Sequence, residues 1–265
     1  MLNKIVKPGL AVAFFVAFIS APAFAQVRAT APVQPDQAAE TLPPAESIIA
    51  RHIKAVGGRE AIKAHNSVTA KGTISMPANG ISGTLELFTA RPNKTFMKMT
   101  LPGIGDISSG YDGKVAWTTS PMTGPMLATG KELEEKALDS DFEGALGFDS
   151  KYDSMKTLEK TTFEGRPVYK VALKRKGNAG EDIEFYDVET GLKAGAIIER
   201  SNPMGVIKAT SVISDYKKFG DLLHPTVIKQ TASGAQMVMT FTSIEYDNVD
   251  PAVFELPAEI KALVK

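Results

Sequence analysis

The sequence predicts a mainly β domain with a helical cover (α+β): a half-open antiparallel β-barrel of about ten or eleven strands, with helices lying across its open face. Three observations predict it. From Ser67 onward apolar residues recur at every second position, the period of a half-buried strand. Short turn signals separate these runs. Only one segment before the runs and one among them carry helical periodicity.

The alternation is explicit in several places. Ile81, Gly83, Leu85 and Leu87 alternate with Ser82, Thr84 and Glu86, and Met97 and Met99 with Phe96, Lys98 and Thr100. Tyr169, Val171 and Leu173, then Ile183 and Phe185, then Met237, Met239 and Phe241 repeat the pattern. Between the runs stand Asp112-Gly113, Glu164-Gly165, Thr190-Gly191, Phe219-Gly220 and Ser233-Gly234, the residues that supply the positive φ angles of tight hairpins. Strands joined in sequence order by short turns form a meander. A sheet that long tends to curl, because curling removes exposed edges.

Two segments read as helices. Ile48, Ile49, His52, Ile53 and Val56 share one helical face, Gly57-Gly58 ends that helix, and a short further turn is expected over Gly58–Ala64. The second helix is expected over Thr129–Leu146, with Thr129 as its cap and Leu133, Ala137, Leu138 and Phe142 as its apolar stripe. Leu133, Leu138 and Phe142 must bury against something. Over a filled barrel they are core, and over a hollow one they are a lid.

Ahead of the domain, residues 1–25 have the layout of a cleavable signal peptide: Lys4 and Lys7, an apolar run from Gly9 to Ile19, and Ala23-Phe24-Ala25 before Gln26. That run is shorter than the roughly twenty residues a spanning helix needs. Residues 26–44, rich in Ala, Pro and Gln, are expected to be a disordered linker, and residues 45–265 the folded domain. The expected mature protein is periplasmic, soluble and without a lipid-bearing cysteine.

Composition excludes several functions. With Cys 0, there is no disulfide, thiolate zinc site or thiol nucleophile. The formal net charge is +0, and losing Lys4 and Lys7 leaves a slight acidic excess, which argues against nucleic acid as a partner. His52, His65 and His224 are scattered without metal-ligand spacing, so no metal or cofactor is expected. Carboxylates fall in turns (Asp112, Glu164, Glu189) or on the expected helix surface (Glu132, Glu134, Glu135). No Gly-x-Ser-x-Gly elbow, P-loop or dinucleotide fingerprint is present, so an enzyme is not expected.

Particular residues then carry a family resemblance. Gly83 to Asn93, ending in Arg91-Pro92-Asn93, is followed by Met97-Lys98-Met99 and by Tyr111-Asp112-Gly113-Lys114 leading to Trp117. In that order they resemble the LolA/LolB-type lipoprotein-carrier superfamily. Phe163 to Tyr169, Tyr186 to Leu192, Met204-Gly205 and Asp250 to Pro257 resemble its outer-membrane lipoprotein-sorting-like branch. The resemblance implies an apolar barrel cavity that shields acyl chains, with Leu85, Leu87, Met97, Met99, Trp117, Met237, Met239 and Phe241 as candidate lining. Adaptable thioethers suit variable chains, although the same residues would serve an ordinary core. It also implies that Arg91 latches the lid (Leu133, Leu138, Phe142). On the plainer reading Arg91 is a solvated turn residue.

The expected function is therefore a carrier of a lipid or of lipoprotein acyl chains, with inner- or outer-membrane proteins as further partners. The alternative is an envelope lipid or stress sensor of the same fold. A hydrolase of envelope polymers would need paired catalytic carboxylates, which the sequence does not show.

Overall fold

The alternating runs form strands because each buries one face, and the strands assemble into one antiparallel sheet. In the computed structural model, which describes residues 41–264 apart from 145, 147, 178, 203 and 204, that sheet has 13 strands. The expected signal peptide and nearly all of the expected linker lie outside the described residues.

Strands β1 (Ser67–Met76), β2 (Ile81–Ala90), β3 (Lys94–Leu101), β4 (Gly105–Tyr111), β5 (Ala116–Ser120) and β6 (Gly124–Leu127) run as a meander from the centre to one edge. Helices α3 (Gly130–Asp139) and α4 (Phe148–Lys151) carry the chain to the other edge. There β7 (Tyr152–Phe163), β8 (Arg166–Arg175), β9 (Glu181–Asp187), β10 (Lys193–Asn202), β11 (Gly205–Phe219), β12 (Leu222–Ala232) and β13 (Ala235–Tyr246) meander back, and β13 pairs with β1. The sheet is open, with β6 and β7 at its edges. Helices α1 (Ala45–Ala55) and α2 (Arg59–Ala64) precede it. A half-open barrel with a helical cover is thus the fold. The strand count exceeds the expected ten or eleven because runs such as Gly105–Tyr111 and Gly124–Leu127 carry no apolar alternation.

Register fixes the two faces. Ala70 lies opposite Leu87 and Ile244, Leu87 opposite Met97, Leu85 opposite Met99, and Ile74 opposite Met239. These residues share the inner face and pack with Leu101 and Phe241 in one cluster, where Ile74 and Leu85 are fully buried. Helix α1 packs on the inner face further round: Ile48, Ile49 and Ile53 meet Val171, Leu173, Tyr152 and Tyr186.

Trp117 is elsewhere. It lies opposite Gly110, which lies opposite Phe96, which lies opposite Phe88, and that row is one residue out of phase with Leu87 and Met97. It therefore occupies the outer face, where a Cβ at Gly110 would stand 2.8 Å from the indole ring. The C-terminal segment packs against β3 and β6. Its Phe254 and, in α5 (Ala258–Lys261), Ile260 are buried, and Lys94 Nζ sits 6.0 Å from the Phe254 ring. Trp117 lies on this outer face, its ring 6.0 Å from that of Phe96, and not in a cavity lining.

Helix α3 is also shorter than expected. It ends at Asp139 with Ser140 as its C-cap, and Thr129 flanks its start without a side-chain capping bond. Phe142 therefore sits in the turn beyond the helix, where its N–H bonds the Pro92 carbonyl at 3.1 Å.

Candidate functional site

The inner face is filled at one end only. The Ile74 end is plugged by buried Ile74, Leu85 and Leu101 with the half-buried Met97, Met99, Met237 and Met239, in a cluster continuous with the floor of the cavity. Toward the other end of β1, nearer Val68, a half-enclosed cavity of about 450 Å³ opens beneath the helices. Its floor is Val68, Ala70, Leu87, Thr89 and Thr95 on β1–β3, with Ile213, Ile228, Phe241 and Ile244 on β11–β13. Its cover is His52 and Val56 from α1 and its end, Ile62 from α2, and Asp139 to Phe142 at the end of α3 and in the turn beyond it. Apolar side chains dominate, and the size falls within the usual range of small-ligand sites.

Of the residues expected from sequence, Leu87, Phe241 and Phe142 line this cavity. Leu85 and the four strand methionines lie on the same face but in the plug. Period-two patterning assigns a face, and it says nothing of depth along the strand. Leu133 and Leu138 on α3 are half-buried and lie outside the lining.

Arg91 ties the two parts of the cover together. Its Nε donates to the carbonyl of His65, just beyond α2, at 2.9 Å. Its Nη1 pairs with Glu143, and the guanidinium lies 4.9 Å from the Phe142 ring. One planar fork thus reaches the α2 side and the α3 side at once, which a lysine cannot reproduce.

His65 completes the clasp. Nε2 meets Asp221 at 3.0 Å and Nδ1 meets Asp247 at 2.8 Å, while the ring stacks on Tyr246 at 3.9 Å. Hydrogen bonds donated to the carboxylates of Asp221 and Asp247 raise its pKa above 6.5. Gly57 closes the α1–α2 corner with φ +131°, where a Cβ would come 2.7 Å from Leu222.

Helix α3 is fixed by an ionic network centred on buried Arg175 and Asp182, which sequence pattern alone does not show. Arg175, 0% exposed, donates to Asp139 at 2.7 Å, to Asp182 at 3.2 Å and to the Glu135 carbonyl at 3.1 Å. Arg200 bonds both Asp139 and Asp182. Burial opposes ionisation of Asp139, but Arg200, Lys151 and Arg175 outweigh it and hold the pKa below the carboxylate norm. Glu135 was expected on the solvated face. It is 3% exposed and accepts from the Ser201 backbone N–H at 2.6 Å. Its carboxylate is hydrogen-bonded inside by Ser201, a partner that no helical wheel of one segment reveals.

Two further imidazoles stand among the polar lining residues. His52 Nδ1 lies 3.2 Å from the Gly191 carbonyl, and burial lowers its pKa to about 4. His224 is also lowered by burial. Among the described residues no group of His, Cys, Asp or Glu is placed to hold a metal. No helix of the described residues is long and apolar enough to cross a membrane.

Solved structures share this architecture. A LolA superfamily protein from Nitrosomonas europaea aligns with TM-score 0.54 at 13% identity, over 81% of this chain and 99% of that one. A DUF1329 family protein from Desulfovibrio piger aligns with TM-score 0.54 at 13% identity, over 81% of this chain and 98% of that one. The chain therefore has a LolA-like fold. No family sequence model and no curated protein matches it.

Proposed function

We propose that this protein is a periplasmic carrier that holds an acyl chain of a lipid or lipoprotein in the cavity beneath α1 and α2. The observation that supports it is the half-enclosed apolar space of about 450 Å³ in a LolA-like fold, walled by Leu87, Ile213, Ile228, Phe241 and Ile244. Each methylene moved from water into such a space contributes about 0.8 kcal/mol. A chain of about ten carbons thus supplies about 8 kcal/mol before ordering costs, enough for reversible carriage.

In this reading Arg91 and His65 are the latch and α2 is the part that moves. Helix α2 has no buried residue, and its N-terminal junction is Gly57-Gly58. Helix α3, held by Arg175 and Arg200, stays in place. The signal peptide and linker expected from the sequence fit delivery to the periplasm, where a protein partner would receive the cargo.

The test is native mass spectrometry of protein purified from its own host, together with titration of a fluorescent acyl probe. Co-purified lipid and saturable probe binding are expected. Empty protein that takes up no probe would overturn the reading.

A further inference from the structure

The cationic groups around the cavity are already paired by the protein itself. Lys193 pairs with Glu184, Asp139 with Arg175 and Arg200, and His65 with Asp221 and Asp247. An anionic head entering here would meet no cation without a carboxylate partner of its own.

Within the lining, two neutral imidazoles keep hydrogen-bonding capacity, while Arg91 Nη2, also buried and unpaired, lies outside the lining. The Gly191 carbonyl can only accept, so His52 Nδ1 carries the proton and Nε2 keeps a lone pair. His224, 6.0 Å from the Tyr246 ring, lines the cavity. Its Nε2 is shielded from solvent and has no hydrogen-bond partner among the described residues. A buried polar nitrogen left unpaired in a folded protein is a cost that a ligand can relieve.

We infer that the cavity selects an uncharged, hydroxyl-bearing amphiphile of the acylglycerol type over a free carboxylate or a phosphate. A hydroxyl both donates and accepts. It can donate to the lone pair of His52 and satisfy His224 in either tautomer. A carboxylate or a dianionic phosphate could only accept, and would also have to shed its own hydration beside paired charges. This inference rests on the acyl-binding reading above and deepens it.

The experiment is competition for a bound fluorescent acyl probe in the intact mature protein. The competitors are monolauroylglycerol, dodecanol, laurate and dodecyl phosphate, with dodecane as the headless control. The two neutral alcohols are expected to displace the probe at about tenfold lower concentration than the two anions. In His224→Leu that gap should close. Laurate or dodecyl phosphate competing as well as the alcohols in the unmodified protein would overturn the inference and leave acyl binding standing. Failure of every competitor, with no probe bound at all, would take both down. The comparison within the unmodified protein needs no variant to fold.

Discussion

At the scale of single residues, the histidines have opposite pH signatures. His52 has its folded pKa lowered from 6.5 to about 4, chiefly by burial. The unfolded chain therefore binds the extra proton first, and stability is lost as pH falls from 6.5 toward 4. The loss attributable to this group approaches about 3 kcal/mol at the acid end. His65 runs the other way: with its folded pKa raised by Asp221 and Asp247, its contribution is full below 6.5 and disappears as pH rises through the raised value. Urea unfolding against pH should therefore show His52→Gln flattening the acid limb and His65→Gln flattening the alkaline one. A His52 ring found by NMR to titrate near 6.5 would remove the basis for the first. Arg91 is the third informative residue. Arg91→Lys should keep the fold but speed probe release, since one ammonium cannot serve His65, Glu143 and Phe142 together. The sequence singled out Arg91 through its family resemblance alone. The Phe142 and Glu143 contacts come from a turn 50 or so positions away in the chain, and no local pattern records such a meeting.

At the scale of elements, the two covers differ in how they are held, and hydrogen exchange can read the difference. Helix α3 is anchored through Arg175, Arg200 and Glu135, whereas α2 buries no residue. Amides of α2 should exchange fast in the free protein and slow when an acyl probe is bound, while those of α3 should be protected in both states. Probe-dependent change confined to α3 would reverse the assignment of the moving part. Arg175→Leu should destabilise the protein by about 3 kcal/mol, because it strips a partner from the buried carboxylate of Asp182 as well as from the partly exposed Asp139. The helices themselves were legible: the apolar stripe of α1 and its Gly57-Gly58 stop lie where the pattern places them. Glu135 shows the limit of that legibility. A charge run on one helix reads as solvated until the facing strand supplies Ser201.

At the scale of the whole molecule, the barrel divides its inner face between a plug and a cavity, and the division separates stability from binding. Alternation in the sequence placed Leu85, Met97, Met99, Met237 and Met239 on the correct face, yet it could not tell that they fill one end. That depends on how far the curled sheet closes around each row. Trp117 was misplaced for a related reason. The strand Ala116–Ser120 has no alternation to assign its face, and the C-terminal segment that covers the outer surface comes from the far end of the chain. The division predicts a double dissociation. Ile74 is 0% exposed in the plug, so Ile74→Ala should cost about 2–5 kcal/mol of stability while the stoichiometry of acyl-probe binding is kept. Thr89 lines the empty part, and a larger side chain there has space to enter. Thr89→Phe should leave the thermal midpoint unchanged or raise it, because added apolar surface fills a void, and should abolish probe binding by occupying the site. If Thr89→Phe bound the probe as well as the parent protein, the hydrocarbon would have to sit elsewhere, and the cavity would be only an unfilled gap in the packing.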